Sequence, residues 1–469
     1  MSALWTSDEA APATGGRCTA PWTATGVSID SRTLRRGDLF VAIEGPNHDG
    51  HDHIASAFAN GAAAAVASNE AACGGAAALI VEDTMDGLRA LARRARRRGT
   101  AKIVAVTGST GKTGTKDTLK RALGRQAETH ATEGNLNNHW GLPLSLARMT
   151  REARYGVLEM GMNSPGEIEP LSRLAEPDVA IVTNVSAVHI EFFESEEQIA
   201  DAKAEVFAGL GAAGTAVLNR DNRHFERLRD RAKKAGAGRI RSFGSHEDAD
   251  VRLRTSTAAD AGWQVEAEID GTAVSYRLGA PGAHWVENSL GVLAVVDALD
   301  ADIGEAARAM ADVAPAIGRG AQSVVRTDGG DFLLIDESYN ASPASTRAAL
   351  DVLGGCSGRK IAVLGDMLEL GDRSPDLHAA LADDIARNRV DRVFLAGPHM
   401  QSLADALDPN MVAAIAPTSA DLLPAVVEAV RPGDVVMVKG SLGSRMAPIV
   451  AALKALGRSD AVRRAANGG

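Results

Sequence analysis

Thr107-Gly108-Ser109-Thr110-Gly111-Lys112-Thr113 is the stretch on which the fold turns. An apolar run, Lys102 to Thr107, leads into it, and a helical pattern through Leu119 and Leu123 follows. A glycine-bearing turn between strand and helix lets backbone N–H groups approach phosphate oxygens. Gly108, Ser109, Thr110 and Gly111 would cradle the phosphates, Lys112 would reach the β and γ oxygens, and the Thr113 hydroxyl would face Mg²⁺. ATP is the expected ligand. The strict pattern asks for glycine at position 106, where this chain has Val106, so the reading rests on the strand-loop-helix context.

Outward from the loop, Tyr155 to Met160, Asp178 to Thr183 and Gly214 to Leu218 are β-branched-rich runs separated by helical stretches, the pattern of a parallel sheet. Between Arg239 and Leu278 the pattern becomes short alternating strands, with Asp270-Gly271 as a hairpin turn, and predicts a minor antiparallel sheet. Upstream, Leu39 to Ile43 and an Ala-rich helical stretch, Ile54 to Ala67, predict a small α/β domain. Its last helix ends in Arg93, Arg94, Arg96, Arg97, Arg98 and Gly99, read as a solvated helix end. Downstream, Phe332 to Ile335, Lys360 to Leu364, Arg392 to Ala396 and Asp434 to Val438 form a third strand series. The expectation is an α/β protein of three domains, 1–99, 100–317 and 318–469, the last Rossmann-like.

The 469 residues suit about three domains. With 60 acidic against 50 basic residues the net charge is −10, a sign that repels nucleic acid phosphates. Aromatics are only 4%, so Ala, Val, Leu and Ile must build the cores, as in parallel sheets covered by helices. The longest apolar run, Ala71 to Val81, is far short of the roughly 18 residues of a membrane span, so no membrane insertion is expected. Ser7, Asp8 and Glu9 stand where a signal peptide would be basic and then apolar, which predicts a cytoplasmic protein. Cys18, Cys73 and Cys356 lack disulfide or zinc spacing and read as buried small apolar residues.

Some residues are ambiguous on their own pattern. Glu159, at a strand end facing the loop, suits either a metal carboxylate or an ordinary strand-end acid. His189 by itself reads as structural, and Lys203 as a helix-surface lysine. Asp336, Asp366, Gly397 and Lys439 follow strands and should gather on one sheet edge.

Taken together, these residues resemble the Mur ligases of peptidoglycan synthesis over nearly the whole chain. Asp30-Ser31-Arg32, Gly37-Asp38-Leu39-Phe40-Val41-Ala42 and Asp49-Gly50-His51 look like that family's uridine-nucleotide-binding domain, which implies that Ser31 and Arg32 touch a UDP-sugar. Gly134-Asn135-Leu136-Asn137-Asn138 is similar to its substrate segment, so Asn135, Asn138 and Thr183 are assigned to the same substrate. By the same resemblance Thr113, Glu159, His189 and a carbamylated Lys203 hold metal, and Lys112, Glu159, His189 and Lys203 are catalytic. A carbamate would turn a repelling cation into an oxygen ligand for Mg²⁺. His284, Asn288, Arg319 and Asp336 are assigned to ATP; Tyr339, Asn340, Lys439 and Ser441 to the acceptor. Glu194, Glu337 and Ser342 depart from the family's commoner residues.

The resemblance implies a monomeric, ATP- and Mg²⁺-dependent ligase that joins D-alanyl-D-alanine to UDP-N-acetylmuramoyl-tripeptide through an acyl phosphate. The Asp-Asn-Pro-Arg motif of the branch that adds the third amino acid does not occur. Another Mur-type ligase, a folylpolyglutamate synthetase, or a nucleotide-binding protein without turnover remain the alternatives.

Overall fold

The computed structural model describes residues 3–45, 48–187, 190–259 and 262–467, with side chains described up to 457 apart from Ile190. Three main sheets follow one another along the chain. The first has five strands in the order Arg17–Cys18, Ala78–Ile80, Ala64–Ala67, Asp38–Val41 and Gly26–Ser28, parallel except at the Arg17–Cys18 edge. The stretch 54–67, expected as one helix, divides: Ile54–Ala59 is helical, the chain turns at Asn60-Gly61, and Ala64–Ala67 is a strand buried along its whole length. Alanine suits both conformations, and burial between two layers decided for the strand.

The second sheet has nine strands, and six of its parallel neighbours run Thr129–Ala131, Tyr155–Glu159, Lys102–Thr107, Val179–Val182, Thr215–Asn219 and Arg239–Gly244. Lys102–Thr107 is earliest in sequence yet lies between Tyr155–Glu159 and Val179–Val182, so the strand order reverses there. Ligands of open parallel sheets bind at that reversal, beyond the carboxyl ends of the strands. Val251–Ala259, Gly262–Ile269 and Thr272–Leu278 extend this same sheet, so the expected separate antiparallel sheet is its outer edge. Val251 pairs in parallel with Phe243 before the antiparallel hairpins begin, and that pairing fuses the two parts.

The third sheet runs Ala321–Thr327, Gly330–Glu337, Asp434–Lys439, Arg359–Gly365, Arg392–Ala396 and Val412–Ala416, antiparallel only in its first pair. As expected, its carboxyl edge gathers Asp336, Asp366, Gly397 and Lys439: Ser441 N–H donates to the Asp366 carbonyl, and Gly397 lies over the Asp366 carboxylate.

The first domain is joined to the second through shared core. Leu144 and Ala147, of the helix Gly141–Ala147, pack in one cluster with Trp5, Leu88, Leu91 and Ala95. Trp5 is fully buried, its indole N–H donates to the Ala147 carbonyl at 2.8 Å, and the Arg98 guanidinium lies 4.1 Å from its ring. Arg98 also donates to the carbonyls of Leu4 and Met149. The reading of Arg93 to Arg98 as a solvated helix end therefore fails at Arg98, whose side chain is 1% exposed because it bridges two domains. Of the cysteines, Cys73 is buried while Cys18 and Cys356 are only half-buried; all three are free. Among the described residues no helix is long and apolar enough to cross a membrane.

Candidate active site

The phosphate loop leaves Lys102–Thr107 and enters the helix Lys112–Gly124. Its shape is imposed by the neighbouring strand end. Thr183 Oγ1 donates to the Thr110 carbonyl at 2.6 Å, Ser109 N–H donates to the Asn184 carbonyl at 2.7 Å, and Ser109 Oγ bonds Ser186. Gly108 has φ +150°, and a Cβ there would lie 2.0 Å from Thr183 Oγ1; at Gly111, φ +80°, it would meet Asn288 Oδ1 at 2.7 Å. Both glycines are thus required by close approach as well as conformation. Thr183, assigned above to the UDP-sugar, donates its hydroxyl to this loop and braces it.

Lys112 Nζ donates to the Gly108 carbonyl at 2.7 Å, curling over the loop. Burial pulls its pKa down, the Glu159 carboxylate opposes that, and the Arg319 charge adds to the fall. Glu159 is 2% exposed at the end of its strand. Its Oε2 accepts from Thr113 Oγ1 and its Oε1 from Asn137 Nδ2, both at 2.9 Å, while its N–H donates to Thr132 Oγ1. A buried carboxylate beside the loop hydroxyl suits Mg²⁺, which takes one or two carboxylates, substrate phosphates and water. His189 lies outside the described residues. Among the described residues no three His, Cys, Asp or Glu side chains cluster as a metal site.

Lys203 overturns the surface reading made from its own pattern: it is 2% exposed on the helix Glu196–Ala204. Burial drives its pKa well below the ordinary lysine value, and the Lys112 charge drives it further. The helix is only weakly amphipathic in sequence, with alanines on both sides of Lys203, so its inward face is chosen by packing rather than by periodicity.

A cavity of about 260 Å³ opens between the second and third domains. The central domain contributes Thr110, Gly111, Thr113, His284 and Asn288, and the third domain Arg319, Glu337 and Ser345. Arg319 lies 4.0 Å above the Tyr339 ring. Burial lowers the His284 pKa, so its ring is neutral near pH 7. Asp336, assigned to ATP, is turned inward onto Ser338, 2.6 Å from its Oγ, and Lys454; Glu337 lines the cavity in its place. Adjacent strand residues face opposite sides, so one position separates the two outcomes. Glu337 also holds Lys439 at 3.2 Å. Lys439 donates to the Asn340 carbonyl, and Ser441 Oγ to that of Ala341, so both acceptor candidates knit the loops of this edge. Ser342 caps the helix Pro343–Gly354 in a capping box with Ser345, which accounts for that departure, and Glu194 bonds the Gln198 side chain.

A second cavity, about 710 Å³, lies in the first domain. Ser31, Arg32, Phe40 and His53 line it, and Arg32 is held by Asp30. The central domain closes it with His139 and Trp140. Asn135 and Asn138 are not among its lining residues; Asn138 Oδ1 accepts from Gly141 N–H and shapes the loop. Asn137, on Glu159, lies within the segment similar to the family's substrate segment without a role of its own in the sequence, and Trp140 lies just beyond it. An indole in an asparagine-rich loop was the available signal.

These features define an ATP-dependent ligase of a known class. Profiles for the Mur ligase family catalytic domain, the Mur ligase middle domain, and the Mur ligase glutamate ligase domain match residues 23–100, 106–296 and 322–442. The chain belongs to the Mur ligase family. It is 31% identical to the UDP-N-acetylmuramoyl-tripeptide–D-alanyl-D-alanine ligase of Rickettsia prowazekii, over 95% of this chain and 99% of that one. It is 33% identical to the Bacillus subtilis ligase of that name, over 91% and 92%. The crystal structure of MurF from Acinetobacter baumannii superposes with a TM-score of 0.84 at 30% identity, over 96% and 98%. MurF from Thermotoga maritima in complex with ADP superposes with 0.76 at 28% identity, over 92% and 98%.

Proposed function

We propose that the chain joins D-alanyl-D-alanine to UDP-N-acetylmuramoyl-tripeptide, with ATP cleaved to ADP and phosphate. One observation carries this reading: Glu159 divides its two oxygens between Thr113 of the nucleotide loop and Asn137 of the loop that reaches the first-domain cavity. Nucleotide and UDP-substrate therefore meet at one carboxylate.

The terminal carboxylate of the tripeptide attacks the γ-phosphorus of ATP, ADP leaves, and the acyl phosphate forms. The acceptor amine then attacks the acyl carbon, loses a proton and expels phosphate. Both partners of the first step are anionic, so the chain must neutralise charge and align atoms. Lys112 swings from the Gly108 carbonyl to the phosphates, and Arg319, held on Tyr339, faces them from the start of the third domain. Mg²⁺ supplies Lewis-acid stabilisation of the transferred phosphoryl group when bound by Thr113 and Glu159, with His189 and a carbamylated Lys203 as further ligands. Burial depresses the Lys203 pKa, which favours the unprotonated amine that adds CO₂ to give a carbamate and one proton. His284 and Asn288 take the base, Ser31 and Arg32 the uridine diphosphate, and Tyr339 and Asn340 the acceptor.

Domain limits at residues 99 and 317 complete this assignment. The site is assembled within one chain, so we take the working form as a monomer, and its use of ATP and a UDP-sugar places it in the cytoplasm. Purified protein given UDP-tripeptide, D-alanyl-D-alanine, Mg²⁺ and ATP should yield the pentapeptide mass, and omission of any one component should remove it. Pentapeptide-free reactions with stoichiometric ATP binding would favour a protein without turnover.

A further inference from the structure

The geometry points to Trp140 as the platform on which the muramoyl sugar of the donor lies, an assignment that rests on the UDP-substrate reading above. Of the five tryptophans, Trp5, Trp22 and Trp285 are buried and Trp263 packs against a core. Trp140 is 41% exposed and opens onto the first-domain cavity.

Its backbone is nonetheless rigid. Trp140 heads the helix Gly141–Ala147, all seven residues of which are buried, and its carbonyl accepts from Leu144 N–H at 3.1 Å. The preceding turn is pinned by Asn138, whose carbonyl accepts from Leu142 N–H and whose side chain accepts from Gly141 N–H. His139 stands edge-on to the indole, at 5.6 Å and 82°. A fixed backbone presenting an open indole is a preorganised binding face, because little side-chain freedom is lost when it is covered.

Position identifies what covers it. Asn137 of the same loop touches Glu159 at the reacting edge, whereas Ser31 and Arg32 lie across the cavity in the first domain. Trp140 follows Asn137 by three positions, a reach of about 10 Å at most, comparable to an extended tripeptide. A donor with its diphosphate near Arg32 and its peptide carboxylate near Glu159 therefore brings its pyranose, rather than its uracil, to the indole. One face of a pyranose is lined by C–H bonds of slight positive charge, complementary to the negative face of the indole ring.

Calorimetric titration of the full chain with UDP, UDP-N-acetylmuramic acid and UDP-N-acetylmuramoyl-tripeptide tests this. Trp140→Ala should bind UDP as wild type does but lose about ten-fold affinity for both sugar-bearing ligands, and Trp140→Phe should recover most of it. In turnover the alanine variant should raise KM for the donor with kcat and the ATP KM unchanged; unchanged ATP affinity also reports an intact fold. Equal loss for UDP would put the indole under the uracil and overturn the proposal. Unchanged affinity for all three in an active Trp140→Ala enzyme would overturn it while leaving the ligase reading standing. Failure of the wild type to bind any uridine ligand would remove both.

Discussion

Two lysines placed side by side in a buried site set the electrostatic problem at the scale of single residues. Burial lowers the pKa of both, the Lys112 charge lowers that of Lys203 further, and Glu159 is the carboxylate that offsets the fall at Lys112. Converting Lys203 to a carbamate replaces that repulsion by attraction. Enzyme equilibrated with isotope-labelled bicarbonate should therefore show a labelled carbamate carbon, lost in Lys203→Ala together with turnover. Lys112→Ala should lower turnover roughly 1,000-fold while leaving UDP-substrate affinity unchanged, as read by steady-state rates and calorimetry, because the two cavities are lined by different residues. His130 offers a pH test away from the site. Burial lowers its pKa from 6.5 to about 4, and its ring faces Ser145. Between those values the unfolded chain binds a proton that the folded chain refuses, so stability falls as pH drops through that window and is unaffected above it. The loss is at most about 3 kcal/mol, and His130→Gln should flatten it in urea unfolding measured from pH 7 to pH 4.

Among the elements, the helix Thr84–Arg98 ties the first domain to the second. Arg98 closes it with two carbonyl contacts, a cation–π contact on Trp5 and an ion pair with Glu9 at 3.5 Å. Glu9 also meets Arg94 and Arg151, so one carboxylate gathers three guanidinium groups from two domains. Burial lowers the Arg98 pKa to about 10, which still leaves it charged at neutral pH. Arg98→Ala should destabilise the chain by about 3 kcal/mol in urea unfolding, since it strips buried carbonyls of their donors and the indole of its cover. The hairpin over 262–278 was legible from its alternation and from Asp270-Gly271, whose positive φ values, 46° and 84°, are those of a type I′ turn. Its attachment to the large sheet was not, because strand alternation says nothing about which edge a hairpin joins. The stretch 54–67 misled for a related reason: alanines carry no β-branching to separate helix from strand.

For the molecule as a whole, the two domain junctions differ in kind. The first and second domains share an apolar core, whereas the second and third meet across an open cleft, with Arg319 on Tyr339 and the Glu191 N–H on the Glu369 carbonyl. An apolar junction resists movement more than a cleft that exchanges its contacts for ligand. ATP analogue and donor together should therefore shift the third domain alone. Labels at E82C and E152C should keep their separation while E152C and E428C change theirs, in a chain with its native cysteines replaced; equal changes in both pairs would contradict a fused first junction.

Local pattern by itself determined the phosphate loop, most strands and the three-domain α/β order, because these follow from hydrophobic periodicity and turn chemistry within a few residues. Resemblance added the family. Which of Asp336 and Glu337 lines the interdomain cavity, the burial of Lys203, the use of Thr183 as a brace and the placement of Trp140 in a cavity of another domain were decided only by tertiary structure. Each depends on residues tens of positions away brought within hydrogen-bonding or packing distance, and no local window of sequence records that distance.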